Sequence, residues 1–200
     1  MSVYYMFNKP RGCITARRDD RHKTVMDYFP GEQRFCLHPL GRLDLDTEGL
    51  LIVSDDGMLD QLIMQPERHV EKKYYFWAIG EPTPEKIQQL ERGVVIEEGS
   101  VTRPAKVRVV STAKMRDICH LLSDRHRPKL MKNPDVPVFE GYLTITEGKK
   151  HQVKRMLRAV RCCVVYLKRV AIGGVELDES LNPGEYRSLT QKELNDLCKM

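Results

Sequence analysis

The sequence has no apolar run near the ~18–20 residues that a membrane-crossing helix needs; its apolar runs, such as 50–53 and 162–167, are short. Residues 1–8 carry neither the basic flank nor the apolar core of a secretory leader. These absences favour a cytoplasmic protein with no membrane partner. The six cysteines, Cys13, Cys36, Cys119, Cys162, Cys163 and Cys198, form no C-x-x-C pair and no regular framework. Reduced, mostly buried thiols fit that pattern better than disulfides or a structural zinc site. Internal repeats and low-complexity linkers are absent too. Two hundred residues without a linker suit one domain, 1–200, open to division into two sub-lobes.

What is present is a globular composition, 41% apolar and 30% charged, which argues against disorder. Strands are predicted at 3–8, 50–54, 72–79, 94–97, 105–111, 142–146, 164–172 and 175–177. Helices are predicted at 24–29, from Met58 to Pro66 through Leu59, Leu62 and Ile63, at 84–92 with Pro84 in the first turn and Gly93 after the end, and at about 150–161. Thr190 and Glu193 form a capping-box signature that opens a C-terminal helix. Residues 112–138 are basic and rich in proline toward the end, and read as an insertion or mobile loop. The elements intermix without regular βαβ alternation. The predicted class is therefore α+β, a mixed and mainly antiparallel sheet with flanking helices and a central active-site cleft.

The net charge of +5 is concentrated, since 149–169 holds eight Lys and Arg and no Asp or Glu. On the helix predicted there, Val153, Met156, Leu157 and Val160 share one face and should be buried. Lys150, Lys154, Arg158 and Arg161 flank that stripe, and Arg155 points nearly opposite, into solvent. So many like charges repel unless an anion lies nearby, and a phosphate backbone is the natural candidate. A membrane surface fits less well, because the apolar face lacks Trp or Phe. A merely solvated amphipathic helix is the bland alternative.

A second motif places Asp44, Asp46 and Glu48 at alternate positions, with Arg42 beside them. This resembles the start of a calcium-binding loop, but Glu48 and Asp55 are poor fits at positions five and twelve, and a β-branched strand stands where a helix should exit. Alternatively, one carboxylate does chemistry beside Arg42, which would keep it ionised and oriented. Spacing does not say which one, and a polar turn with a surface ion pair is the default.

Taken together, Asn8-Lys9-Pro10-Arg11-Gly12, Gly41-Arg42-Leu43-Asp44-Leu45-Asp46-Thr47-Glu48-Gly49, Glu71-Lys72-Lys73-Tyr74, Glu147 through Met156, Arg169…Ile172-Gly173-Gly174 and Pro183 through Thr190 resemble the pseudouridine synthases. The likeness is to the branch that modifies ribosomal RNA, whose namesake acts on the small-subunit RNA. It runs nearly end to end. The resemblance implies the pseudouridine synthase fold and an isomerase that converts a uridine of ribosomal RNA to pseudouridine with no metal or organic cofactor. It implies that Asp44 is the catalytic carboxylate, acting as nucleophile or base. Tyr74 matches the active-site aromatic that stacks on the flipped uracil and takes part in proton transfer. Lys154 matches the basic residue set against the carboxylate, and its place flanking the buried stripe independently prefers it to Arg155. Lys9, Arg11, Arg42, Lys149, Lys150 and Arg158 are then the RNA-contacting or supporting residues.

The implied partner is ribosomal RNA or a pre-ribosomal particle, bound by a monomer. Many relatives begin with a separate RNA-binding domain, whereas here the first core motif starts almost at residue 1. A bare catalytic domain is therefore expected, with 112–138 as a possible substitute. A catalytically idle RNA-binding or ribosome-assembly factor on the same scaffold is the alternative reading.

Overall fold

A computed structural model describes residues 2–198; Met1, Lys199 and Met200 lie outside the described residues, as do the side chains of Gln33, Asp60, Gln61, Leu62, Met64 and Pro66. The expectation for the Leu62 side chain is therefore outside the description. In chain order the strands and α-helices are β1 (Tyr4–Lys9), β2 (His38–Leu40), β3 (Glu48–Ser54), α1 (Gly57–Met64), β4 (Lys72–Ile79), α2 (Pro84–Arg92), β5 (Val95–Glu97) and β6 (Ser100–Val101). They continue with β7 (Lys106–Lys114), α3 (Arg127–Leu130), β8 (Pro137–Ile145), α4 (Gln152–Ala159), β9 (Cys163–Ile172), β10 (Val175–Glu176), β11 (Tyr186–Ser188) and α5 (Gln191–Cys198). The architecture is α+β, with mainly antiparallel pairing. The chain divides into two compact units, Met1–Lys72 with Lys168–Met200, and Lys73–Leu167.

In the first unit β1 lies between β11 and β3, antiparallel to both, with Met6 opposite Ile52 and Phe7 opposite Tyr186. The other edge of β3 pairs in parallel with β9 at Glu48 and Gly49, and antiparallel with β2 at 52–54. Successive residues of a strand face opposite ways. Met6, Leu50 and Ile52 accordingly join Leu59, Ile63, Ile172 and Leu197 in one core. Phe7 faces the other way, into a ring cluster with Tyr28 and Phe29, and Phe29 stacks on Tyr186 at 4.3 Å. With both faces covered, β3 is the continuous apolar run seen in the sequence. Each such side chain contributes roughly 1.5–3 kcal/mol. Gly49 is obligatory: its φ is +101°, and a Cβ there would lie 2.2 Å from the Arg169 carbonyl oxygen.

The second unit is built on the strand order β4-β8-β7. β7 and β8 pair antiparallel, with Arg108 opposite Tyr142 and an irregularity between Val109 and Ser111. On α2, Pro84 sits in the first turn and Gly93 ends the helix at φ +93°. Residues 112–138, read from sequence as an insertion or loop, are built of regular pieces. Residues 112–114 complete β7, Met115–Leu121 is a 3-10 turn, Arg127–Leu130 is α3, and 137–138 open β8. Met115, Ile118, Leu122 and Val138 are buried against Trp77 and Tyr166. The sequence hides this because a 3-10 turn gives its apolar residues no 3.6-residue period.

Among the described residues no helix is long and apolar enough to cross a membrane. α4 is shorter than predicted. His151 at φ +53° and Arg161 at φ +59° take left-handed conformations at its two ends. An α-helix of L-residues cannot continue through such positions.

Candidate active site

The loop from Gly41 to Thr47 leads into β3, and its backbone is bonded at several points. Thr15 Oγ1 donates to the Leu43 carbonyl at 2.8 Å and accepts from the Leu43 amide at 3.1 Å. The Gly12 amide donates to the Leu45 carbonyl at 2.8 Å, and a turn bond joins the Thr47 amide to the Asp44 carbonyl at 3.1 Å. Lys9 is completely buried, and its ammonium donates to the carbonyls of Pro10, Asp44 and Thr47 at 3.0, 3.0 and 2.9 Å. Three donors meet three acceptors, which satisfies the ammonium. Burial lowers its pKa, and acidic neighbours including Asp46, Asp44 and Glu48 oppose that shift. Asp44 itself is half-buried, on a backbone held from both sides.

Of the two roles expected for Lys9, RNA contact or active-site support, full burial and the three bonds to backbone carbonyls fit support: it is the peg of the Asp44 loop. Arg11 is half-buried and bonds Glu48 Oε1 at 2.5 Å through Nε, while Arg42 is exposed. The first unit thus gathers Lys9, Arg11, Arg42 and Asp44 around one loop.

The second unit carries Tyr74 and the α4 residues. Tyr74 is buried on β4 at 9% exposure. Val153, Met156, Leu157 and Val160 are buried as the helical spacing requires, with Lys154 half-buried and Lys150 and Arg158 exposed. The start of α4 is organised by Glu147. Its Oε1 accepts from the Arg103 amide at 2.8 Å and from Gln152 Nε2 at 2.6 Å. Lys149 lies 3.7 Å from the other oxygen and donates to Ser100 Oγ at 3.1 Å and the Val101 carbonyl at 2.6 Å.

Arg155 departs from expectation. Instead of pointing into solvent, it bonds Glu97 at 2.6 Å and the Ile96 carbonyl at 2.9 Å. The protein therefore supplies its own carboxylates, Glu97 and Glu147, to Arg155 and Lys149 among the eight clustered cations. The repulsion argument for an external anion weakens to that extent.

Sequence reasoning missed two buried cations of the first unit. Arg169 is 2% exposed and donates from Nε to the Leu50 carbonyl at 2.8 Å, while one of its terminal nitrogens is buried without a partner. Lys72 is 6% exposed; burial, and then the charge of Arg169, push its pKa down to about 8. Both stand in motifs that carry the family resemblance, and the physical signal was a cation at an inward position of an otherwise apolar strand.

Comparison with known proteins places the chain in a class. Residues 3–159 match the family model of the RNA pseudouridylate synthases, and the chain belongs to that family: it is a pseudouridine synthase, an isomerase. Among individual proteins, it is 43% identical over 194 residues to an uncharacterized RNA pseudouridine synthase of Bacillus subtilis (strain 168), covering 96% of this chain and 72% of that protein. It is 36% identical over 192 residues to ribosomal small subunit pseudouridine synthase A of Escherichia coli (strain K12), again covering 96% and 72%. A crystal structure of a pseudouridylate synthase matches with a TM-score of 0.82 at 34% identity, covering 98% of this chain and 74% of that one.

Proposed function

We propose that the protein converts a uridine of ribosomal RNA to pseudouridine, with small-subunit RNA the favoured substrate, and that Asp44 is the residue that opens the reaction. A carboxylate at that point either attacks the ribose or removes a ribose proton. The glycosidic bond then breaks, the uracil turns, and it rejoins the ribose through carbon. The product is an isomer of the substrate, so no group enters or leaves overall. Tyr74 stacks on the extruded base and serves the proton transfer at carbon 5. Lys154 is the basic residue assigned to serve that carboxylate. Lys150, Arg158, Arg42 and Arg11 meet the RNA.

The observation that carries the reading is the Asp44 loop. Its carbonyls at positions 43, 44, 45 and 47 are all bonded. The carboxylate therefore sits on a backbone arranged before substrate arrives, as catalysis by orientation requires. The small-subunit assignment draws on the Escherichia coli relative. Mapping pseudouridines in both ribosomal RNAs from cells with and without the gene tests the substrate. A missing site in the small-subunit RNA supports the assignment, and a missing site only in the large-subunit RNA overturns it.

A further inference from the structure

Between β1 and β2 the first unit makes a long excursion whose base is firmly built. Ile14 bonds both Lys23 and Val25 through its backbone, at 2.9 and 3.0 Å. Asp27 caps the Val25–Tyr28 turn by accepting from the Thr24 amide at 2.8 Å and hydroxyl at 3.2 Å, and Val25, Met26 and Phe29 are buried. On this base lies an open cleft of about 650 Å³, lined by Arg17, Arg18, Arg34 and Phe35 together with acidic residues. A volume of this order is that of a small-ligand site.

The cleft balances three arginines against Asp19, Asp20 and Asp27, but the two signs are employed differently. Phe35 is 47% exposed, an unusual state for a large apolar ring. Two guanidinium groups attend it, Arg18 at 5.4 Å and Arg34 at 5.0 Å from the ring centre, and Arg17 donates to its carbonyl at 2.5 Å. None of the three arginines makes an ion pair among the described residues. The acidic residues are largely committed elsewhere. Asp27 caps its turn, and Asp19 accepts from the amides of Arg21 and His22 at 2.9 and 2.7 Å and contacts the His22 ring at 3.0 Å. Asp20 is left at the rim.

We propose that this cleft is a second RNA-contacting surface, which takes an unpaired nucleotide away from the reacting uridine. The base stacks on Phe35, and adjoining phosphates lie on Arg17, Arg18 and Arg34. Unpaired bases are commonly held by an aromatic face beside cations, and a guanidinium can both stack and reach phosphate oxygens. This deepens the proposed function, and it rests on that reading only in taking RNA as the substrate.

The test is equilibrium binding of the full chain to a labelled single-stranded oligoribonucleotide of about 12 nucleotides, with a duplex of the same sequence as control. Phe35→Ala should weaken single-strand binding by about 5- to 150-fold, the effect of losing one stacked base, with an unchanged salt slope. Arg18→Ser with Arg34→Ser should reduce the salt slope by about 1.4, two phosphates at about 0.7 each. Phe35→Trp should bind as the parent does, with indole fluorescence quenched by the RNA. All these side chains are exposed, so melting temperatures should hold. Wild-type affinity and slope in both Phe35→Ala and the double arginine variant overturn the proposal. So does an equal loss on the duplex, because a paired base cannot stack on the ring. The readout involves no turnover, so a failed assignment of Asp44 would leave this result standing, and the reverse.

Discussion

The surroundings of the Asp44 loop and the helix that carries Lys154 both hold lysine and arginine, yet they use their cations in opposite ways. In the first unit Lys9 and Arg169 are buried and bond backbone carbonyls, so their charge is spent on fixing chain. In the second unit Lys150 and Arg158 stay at the surface, and Arg155 and Lys149 meet carboxylates or the β5 and β6 backbone. A count of positive residues treats these as equivalent. A buried ammonium with three carbonyls costs desolvation and returns rigidity, whereas an exposed one costs little and remains available to phosphate.

A graded series of substitutions would break or sharpen that contrast. The largest effect is expected from Asp44→Asn, which should lower the isomerisation rate by at least about 10³-fold while RNA affinity stays near that of the parent. Retained turnover would remove Asp44 from its role. Next is Lys9→Met, which removes three hydrogen bonds to interior carbonyls. It should cost about 2–4 kcal/mol in denaturant unfolding and lower kcat more than it alters KM. Lys9→Arg should not rescue it, because a planar guanidinium cannot address three converging oxygens. A surface role for Lys9 would instead show as a changed salt slope at normal stability.

Arg155→Ala should be milder, about 1 kcal/mol of stability with the salt dependence of RNA binding intact. Lys150→Ser and Arg158→Ser should do the reverse, each lowering the salt slope by about one with no change in melting. An Arg155 variant that altered the slope and not the stability would place that residue with the phosphates after all.

The smallest effect belongs to a cluster near the C-terminus. Arg187 bonds Asp178 at 2.6 Å and Glu193 at 2.8 Å, and hydrogen bonds, from Ser180 and Arg187 to Asp178 and chiefly from Arg187 to Glu193, hold each carboxyl down at about 2. Both folded-state values lie below the ordinary carboxylate range, so the unfolded chain binds protons first as acid is added. The stability they contribute is complete above about pH 4.5 and is lost as pH falls toward about 2. Thermal melts of Arg187→Met should show a flatter decline over that window than the parent. An identical decline would mean that the cluster is too solvated to matter.

Much of the scaffold could be read from the chain. β4 and α2 fall at the predicted residues, because alternation with aromatic side chains specifies the one and Pro84 with Gly93 delimits the other. The capping box at Thr190 forms as written, with Glu193 reaching back to the Thr190 amide at 2.8 Å. β2 and β11 were not legible, since three residues are too few to show a period. Within the site, motif spacing pointed to the 41–49 loop, but it could not reveal that Lys9 faces inward. That depends on carbonyls 35 and 38 residues away. Arg155 was misplaced for a related reason: a helical wheel knows the helix and not the strand that packs beside it.

The parallel contact of β3 with β9 has a consequence for how the protein is made. Gly49 can touch Arg169 only after the whole of 73–167 has been synthesised, and β11 reaches β1 later still. The second unit can therefore begin to fold on the ribosome while the first remains an incomplete sheet, with the β11 edge of β1 and the β9 edge of β3 at Glu48 and Gly49 still unpaired, a state prone to wrong pairing. A nascent chain stalled after residue 167 should show protease protection over 73–167, with 2–72 still open to cleavage. The segment bearing Asp44 would then gain its final support only when the last strands emerge.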